Sequence, residues 1–319
     1  MIDYSKDIIL SSNLSIRRNI KGYDFPTTMT FDESLTIIEI FKNIFEDKLV
    51  LLADVDDSTI DRLIDDMVLS EDAPNKLSQI GLVFEGDTTL VINDRDHLSI
   101  NISAFDTDIK SAYMRASEIE KVLDEHIDFA FSQEYGYLTS DARNSGTGLE
   151  LKLKLFLFGL IDNPKTYYGF KQAMVYAGVY ATRFKGQDDI FLLKNYGNYR
   201  DDVYAYLDKL EKDLMTLVKN ERRFRRDYRI LNNIDDEEVK EDISLLENNL
   251  KGGLVKSYDK MKDYLIRLKK YKILGYETGL SLEEIEDLLN NISSSRYKDN
   301  FDPARADFLE RYMGENYGK

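Results

Sequence analysis

Residues 135–160 read YGYLTSDARNSGTGLELKLKLFLFGL, and their second half decides the fold class. Leu149, Leu151, Leu153, Leu155 and Leu157 alternate with Glu150, Lys152, Lys154, Phe156 and Phe158. A period of two marks a β-strand half-buried in a sheet, leucines on one face and charges on the other. Just before it, Asn144-Ser145-Gly146-Thr147-Gly148 forms a small-residue turn that lets backbone amides approach a ligand closely. Such a turn serves as a phosphate cradle or as a plain β-turn, and the pattern alone favours the plain turn. No Gly-Lys-Ser/Thr follows, so it is not a P-loop.

The surrounding chain narrows the class. Its 319 residues suffice for two domains and a sizeable core. With 43 basic and 59 acidic residues the net charge is −16, which argues against nucleic acid as a partner and for a soluble, cytoplasmic protein. Cysteine is absent, and with it disulfides and thiolate metal sites. Two histidines, His97 and His126, do not suggest a metal centre, so no metal is expected. The first residues lack signal-peptide features, and no apolar run is long enough to span a membrane.

Working outward, residues 7–20 read as a short strand running into a polar loop. Thr30 to Leu52 reads as a helix with Leu35, Ile38, Phe41, Ile44 and Phe45 inward and Asp32 as N-cap. A second helix is expected over Thr59–Leu69. The aspartates before it, Asp54, Asp56 and Asp57, lack the pattern of an EF-hand loop and read as solvated. GLVFEG and TTLVIN flank a Gly86-Asp87 hairpin turn, and Leu98–Ile102 adds a strand. A long helix, Ile109 to Glu134, carries Ala112, Ala116, Ile119, Val122, Leu123 and Ile127 on its apolar face, with His126 partly buried in it. A helix over Tyr167–Ala177 and strands near 179–184 and 190–195 complete a mixed α/β domain.

Beyond Asp201 only helices are expected. The stripe Val203, Tyr206, Leu207, Leu210, Leu214, Leu217, Val218 ends in the basic run ERRFRRDYR, 221–229, read as a solvated helix face. Residues 235–319 suggest three or four helices, one opened by a Ser281–Glu284 capping box. The division is placed at 1–230 and 231–319, the second part being a helical dimerisation or docking domain.

Four stretches, in order, resemble the bacterial protein-arginine kinases, relatives of creatine and arginine kinase within the ATP:guanido phosphotransferases (phosphagen kinases). They are Ser11–Ile20 with Lys21-Gly22 and Phe25-Pro26; Asn93-Asp94-Arg95-Asp96-His97-Leu98; Gly136-Tyr137-Leu138-Thr139 with Asn144–Leu149; and Asp302-Pro303-Ala304-Arg305-Ala306-Asp307. The resemblance implies an α/β (α+β) catalytic domain with a large antiparallel sheet flanked by helices, then an all-helical C-terminal domain that dimerises. It implies Mg-ATP as the cofactor of active members, gripped by five arginines, and carboxylates that position the acceptor guanidinium. The last stretch is similar to the segment through which the family recognises phosphoarginine, carried here by Asp302, Arg305 and Ala306, with Phe301 where an arginine is expected. An amphipathic C-terminal helix is an equal reading of that segment.

At the implied site the chain departs from the family. Family arginines are replaced at Asn13, Ser15, Ser99 and Glu150, and, by a looser alignment, at Tyr180 with Arg183 nearby. The guanidinium-orienting glutamate is Arg95, and a later carboxylate falls near Lys185, with Asp188 and Asp189 as stand-ins. The family's cysteine-containing loop reads Ser140-Asp141-Ala142-Arg143. Asn93, Asp96, His97, Asn144, Gly146, Thr147 and Gly148 are retained. His97 is expected to hold its strand by a hydrogen bond, not to catalyse.

Phosphoryl transfer is mostly positioning and charge neutralisation. Losing four or five charge-assisted contacts at roughly 1.5–3 kcal/mol each forfeits about 6 kcal/mol or more. Micromolar binding totals only about 8 kcal/mol. The expectation is a pseudokinase acting by binding or regulation. Two alternatives are an active phosphotransferase whose anion pocket is rebuilt from Arg17, Arg18, Arg95, Arg143, Arg183 and Lys185, and a scaffold that heterodimerises with an active family member. Arg95 and Glu150 are a candidate internal ion pair. Through the resemblance, the expected partners are proteins of the bacterial stress response: an active arginine kinase, its zinc-binding activator, or a Clp chaperone–protease.

Overall fold

In a computed structural model of the chain, residues 7–103, 108–162, 164–184, 189–195, 202–292 and 303–316 are described. The elements begin with β1 (Ile9–Arg18), α1 (Phe31–Phe45), β2 (Val50–Leu51), α2 (Asp57–Asp65), β3 (Gly81–Glu85), β4 (Thr88–Ile92), β5 (Leu98–Ser103) and α3 (Ile109–Asp124). There follow β6 (Phe131–Ser132), β7 (Gly136–Tyr137), β8 (Leu149–Phe156), α4 (Phe158–Ile161), α5 (Pro164–Ala177), β9 (Val179–Arg183) and β10 (Ile190–Asn195). The helices α6 (Val203–Leu231), α7 (Asp236–Lys251), α8 (Tyr258–Ile273), α9 (Leu282–Ile292) and α10 (Pro303–Asn316) end the chain.

Two compact units result: residues 1–157 with 167–219, and 158–166 with 220–319. The division falls within α6, at 219/220. The first unit holds an eight-stranded sheet, ordered β2-β3-β4-β5-β1-β8-β10-β9 and paired antiparallel throughout. The second is helical, with its own core of residues such as Leu246, Met261, Leu265, Leu268, Ile285, Leu288 and Leu309. The chain is therefore mixed α/β with a large antiparallel sheet, followed by helices.

At the centre of the sheet, β8 pairs with β1 and β10. Its leucines share a face with Leu14 and Ile16, opposite Leu151 and Leu149. Burying that face is what fixes the register, since a one-residue slip would bring Glu150 and Lys152 into the apolar layer. The other face is buried as well, down to Glu150 at 1% exposure. The expectation of a half-buried strand is corrected here: the charged face is covered by the chain itself. The α2 C-terminal turn lies over it, its Met67 carbonyl accepting from Asn13 (2.9 Å) and Lys152 (3.3 Å). Met67 holds a left-handed φ of 62°, costly for a side-chain-bearing residue, and these two hydrogen bonds offset part of that cost.

Other boundaries differ for local reasons. β1 continues to Arg18 instead of ending in a polar loop, because Leu14 and Ile16 keep the alternation. Thr30, not Asp32, caps α1, through a capping box with Glu33, and the helix stops at Phe45. α2 spans Asp57–Asp65, and Asp56, exposed as expected, also serves as its cap. α3 ends at Asp124; Ile127 and Phe129 stay buried, but Phe129 lies in a bridge with Ile20. Val122 and Leu35 are exposed, and His126 sits exposed in a turn. In the second unit Glu221 and Arg225 of the basic run are buried partners, 2.6 Å apart, so that run is not wholly solvated. The Ser281–Glu284 capping box is present.

The turn before β8 is held tightly. Gly148 has φ 70°, and a Cβ there would lie 2.4 Å from the Arg17 carbonyl oxygen. Gly22 has φ 88° but open space around its Cα. The conformation alone costs an alanine roughly 1–3 kcal/mol, and only Gly148 adds a collision. Urea unfolding of Gly148→Ala and Gly22→Ala should therefore show the larger loss at Gly148; equal losses would mean that the close approach carries no weight.

Candidate functional site

The register of the central strands assembles the site. Ser15 lies opposite both Asn101 and Glu150, Asn13 opposite Ser103 and Lys152, and Arg17 opposite Ser99. Lys194 pairs with Lys152, and Tyr180 with Lys194. Asn13, Ser15, Ser99, Glu150 and Tyr180 thus occupy one continuous face of the sheet.

Glu150 is the hub of that face. Its Oε2 accepts from Arg17 Nε (3.0 Å) and Nη2 (2.6 Å), and Lys152 Nζ lies 2.8 Å away. Its Oε1 contacts Lys194 Nζ and accepts from Asn144 Nδ2 at 3.3 Å. Arg17 also reaches Asp96 at 3.4 Å, and Lys194 reaches Asp141 at 3.8 Å. Burial pushes the Glu150 carboxyl up, but Arg17, Lys152 and Lys194 outweigh it and hold it well below the usual range. For Arg17, too, burial works against the charge, and Glu150 and Asp96 more than restore it. Lys152 is the member that yields: burial, helped by Arg17, lowers its pKa to about 8 against the pull of Glu150.

The expected Arg95–Glu150 pair is not formed. Arg95 is exposed, while its neighbours in the 93–97 loop point inward. Asn93 donates to the carbonyls of Ser34 (2.9 Å) and Gln79 (3.2 Å), and Asp94 accepts from the Ser70 backbone (2.9 Å). Asp96 accepts from Asn19 Nδ2 and the Ser140 amide, both at 2.7 Å. His97 accepts from the Ile20 amide at Nδ1 (3.0 Å), which leaves Nε2 to donate to the Asp24 carbonyl (2.9 Å). Four inward side chains therefore staple several segments of the first unit.

The turn at 144–148 has its own partners. The Asn144, Ser145, Gly146 and Gly148 amides donate to the carbonyls of Asp141, Ala142, Tyr137 and Asn144, and the Leu149 amide to Thr147 Oγ1. It is the plain, internally bonded turn, not an open cradle. The cations weighed for a rebuilt anion pocket are spread over different partners where they are described. Arg17 is bound to Glu150. Arg18 lies on the opposite face, donating to Glu120 and the Thr147 carbonyl (both 2.9 Å) with its guanidinium 3.5 Å from the Tyr137 ring centre. Arg143 grips Asp141 at 2.9 and 2.8 Å, and Arg183 is exposed at the end of β9. Lys185 and Asp188 lie outside the described residues; Asp189 serves through its carbonyl, accepting from the Leu157 amide. In the second unit Arg305 is 5% exposed, its Nε donating to the Ile292 carbonyl at 2.8 Å and its guanidinium 4.8 Å from the Tyr258 ring centre. Ala306 is buried, and Phe301 and Asp302 lie outside the described residues. As arranged, Arg17, Lys152 and Lys194 do not offer the polar face to a triphosphate: each is already bonded to carboxylates or a carbonyl of the chain.

Lys152 and Lys194 were missed as partners of Glu150. Period-two counting places Lys152 beside Glu150 and Arg17 beside Ser15; Lys194 needs the β10 register.

Removing one member of a buried ion cluster typically costs about 3–5 kcal/mol when it strands the others, whereas an apolar isostere for a costly member is often neutral or stabilising. Glu150→Ala should fall in the first class and Lys152→Met in the second, measured by chemical denaturation at pH 7. Comparable losses for the two would contradict Glu150 as hub. His97 generates a pH dependence. Burial lowers its pKa below the ordinary histidine value near 6.5. Below that pH the unfolded chain binds the proton more readily than the folded one, so stability falls as pH drops through the window under 6.5. In denaturation between pH 7.5 and 5.5, His97→Gln should show a flatter slope; an unchanged slope would exclude this source.

The comparisons with known proteins agree with this architecture. The family model "ATP:guanido phosphotransferase, C-terminal catalytic domain" matches residues 33–223. A protein-arginine kinase of Caldanaerobacter subterraneus subsp. tengcongensis is 26% identical over 243 residues, 71% of this chain and 72% of the relative. One of Clostridium novyi is 24% identical over 306 residues, 90% of this chain and 86% of the relative. Among solved structures, lombricine kinase superposes with a TM-score of 0.55 at 17% identity, covering 68% of this chain and 67% of that one. The substrate-free duplicated taurocyamine kinase from Schistosoma mansoni gives 0.58 at 15% identity, covering 82% of this chain and 40% of that one. These two likenesses speak to the fold. The family model covers well over half of the chain, including β8 and β10 with the Glu150 hub, and so the chain belongs to the ATP:guanido phosphotransferase family, similar within it to the protein-arginine kinases.

Proposed function

We propose that this chain is a pseudokinase of the protein-arginine-kinase type, which acts by binding a protein partner. One observation carries the reading: at the sheet face where the resemblance puts the phosphate-gripping arginines, a buried carboxylate, Glu150, stands ringed by Arg17, Lys152 and Lys194. A triphosphate entering there meets repulsion from Glu150 and has to strip cations from partners they already hold. Asn13, Ser15 and Ser99 are too short to replace bidentate guanidinium contacts. Arg95, where a guanidinium-orienting carboxylate is expected, presents like charge to an arginine substrate. The partners suggested by the family remain an active arginine kinase, its activator or a Clp machine.

A second reading rests on the same residues. Lys152 and Lys194 are cations on the very face that lost its arginines, and a rearrangement that released them would supply charge for Mg-ATP. Calorimetric titration with Mg-ATP separates the two. The pseudokinase reading expects no affinity tighter than about 1 mM, corresponding to roughly 4 kcal/mol, and no transfer of label from ATP to arginine side chains. Micromolar binding with label transfer would establish the active enzyme instead.

A further inference from the structure

From Asn163 to Gln187 the sequence has no acidic residue, a run of 25 in a chain where 59 of 319 are aspartate or glutamate. The run carries Lys165, Lys171, Arg183 and Lys185 and four tyrosines. Within the first unit its described part forms most of α5 and all of β9. Tyr168, Lys171, Val175 and Tyr176 recur at helical spacing on the outer side of α5, with Tyr168 66% and Tyr176 85% exposed. Tyr180 on β9 is 43% exposed. Lys171 lies 5.3 Å and Arg183 5.9 Å from the Tyr167 ring centre. No carboxylate lies within salt-bridge distance of Lys171 among the described residues.

β9 is also a sheet edge. Among the described residues it has a neighbour on one side only, β10. The opposite edge, β2, is blunted by its length of two residues. β9 runs five residues without a proline or a bulge, so its open side presents a regular row of backbone groups. The Phe184 amide donates to the Ile190 carbonyl, which places Phe184, Thr182 and Tyr180 on the paired side. By alternation the amides of Val179, Ala181 and Arg183 face outward.

We propose that the β9 edge and the outer face of α5 dock an extended acidic segment of a partner protein as an added strand. The backbone row supplies register, the tyrosines supply apolar contact with polar tips, and Lys171 selects negative charge. Charge complementarity decides the occupant. A two-fold contact between copies of this chain sets a surface patch against itself, which places the same cations opposite one another. Nucleic acid is disfavoured by the net charge of −16.

The test uses the full chain and a fluorescein-labelled twelve-residue peptide alternating glutamate with valine and tyrosine, followed by anisotropy at about 50 mM and 300 mM salt. Micromolar binding that weakens with salt is expected. Lys171→Glu should weaken it at least about tenfold. Ala181→Pro should do the same, because it removes an outward amide without touching the β10 ladder. A peptide N-methylated at alternate residues keeps the charge and loses the strand pairing; it should not bind, and this arm needs no protein variant. Absence of binding by the unmethylated peptide would overturn the proposal. So would equal binding of the methylated peptide, which would mean charge attraction alone. Concentration-dependent dimerisation abolished by Ala181→Pro would replace it with self-association.

Discussion

The sheet face of the first unit depends on one buried carboxylate. Arg17, Lys152 and Lys194 each lose hydration on entering that layer, and mutual repulsion among three cations so close would be severe without a counter-charge. Glu150 supplies it at the centre, while Asp96 and Asp141 each take a share of an outer cation. Hydrogen bonds complete the arrangement: Asn144 on the carboxylate and the Met67 carbonyl on Lys152. The α2 terminal turn is thereby tied to β1 and β8, so the electrostatics of the strand also set the position of the turn above it.

The 93–97 loop is held in place by its inward side chains. Asn93, Asp94, Asp96 and His97 each bond segments distant in sequence, and every one of those bonds supports folding. Arg95, which faces outward, carries no such duty. Retention of the inward residues beside a changed outward one follows from packing alone, and it is no sign of activity in itself.

Much of this was legible in the sequence. The alternation from Leu149 announced a central strand, and the two-residue step placed Lys152 with Glu150. The burial of the charged face was not legible, because it requires α2 to end over the sheet, a contact that β1 and β8 make with residues some 55 to 90 positions away. The helix expected from Ile109 to Glu134 stops at Asp124, because Ile127 continues the apolar period while being buried as a loop residue. The contacts of Arg305 with the carbonyl of Ile292 and the ring of Tyr258 were not legible either, because they join positions 13 and 47 residues apart. The tie between Glu150 and Lys194 needed the β10 register, which local pattern does not supply.

The Glu150 hub also constrains the history open to this protein. An arginine at position 150 alone would bring a fourth cation against Arg17, Lys152 and Lys194 in a buried layer. A change of charge at Glu150 is therefore open only together with matching changes among Arg17, Lys152 and Lys194. Such a cluster leaves the chain free to vary in sequence elsewhere while its own members are held to one another by their electrostatics.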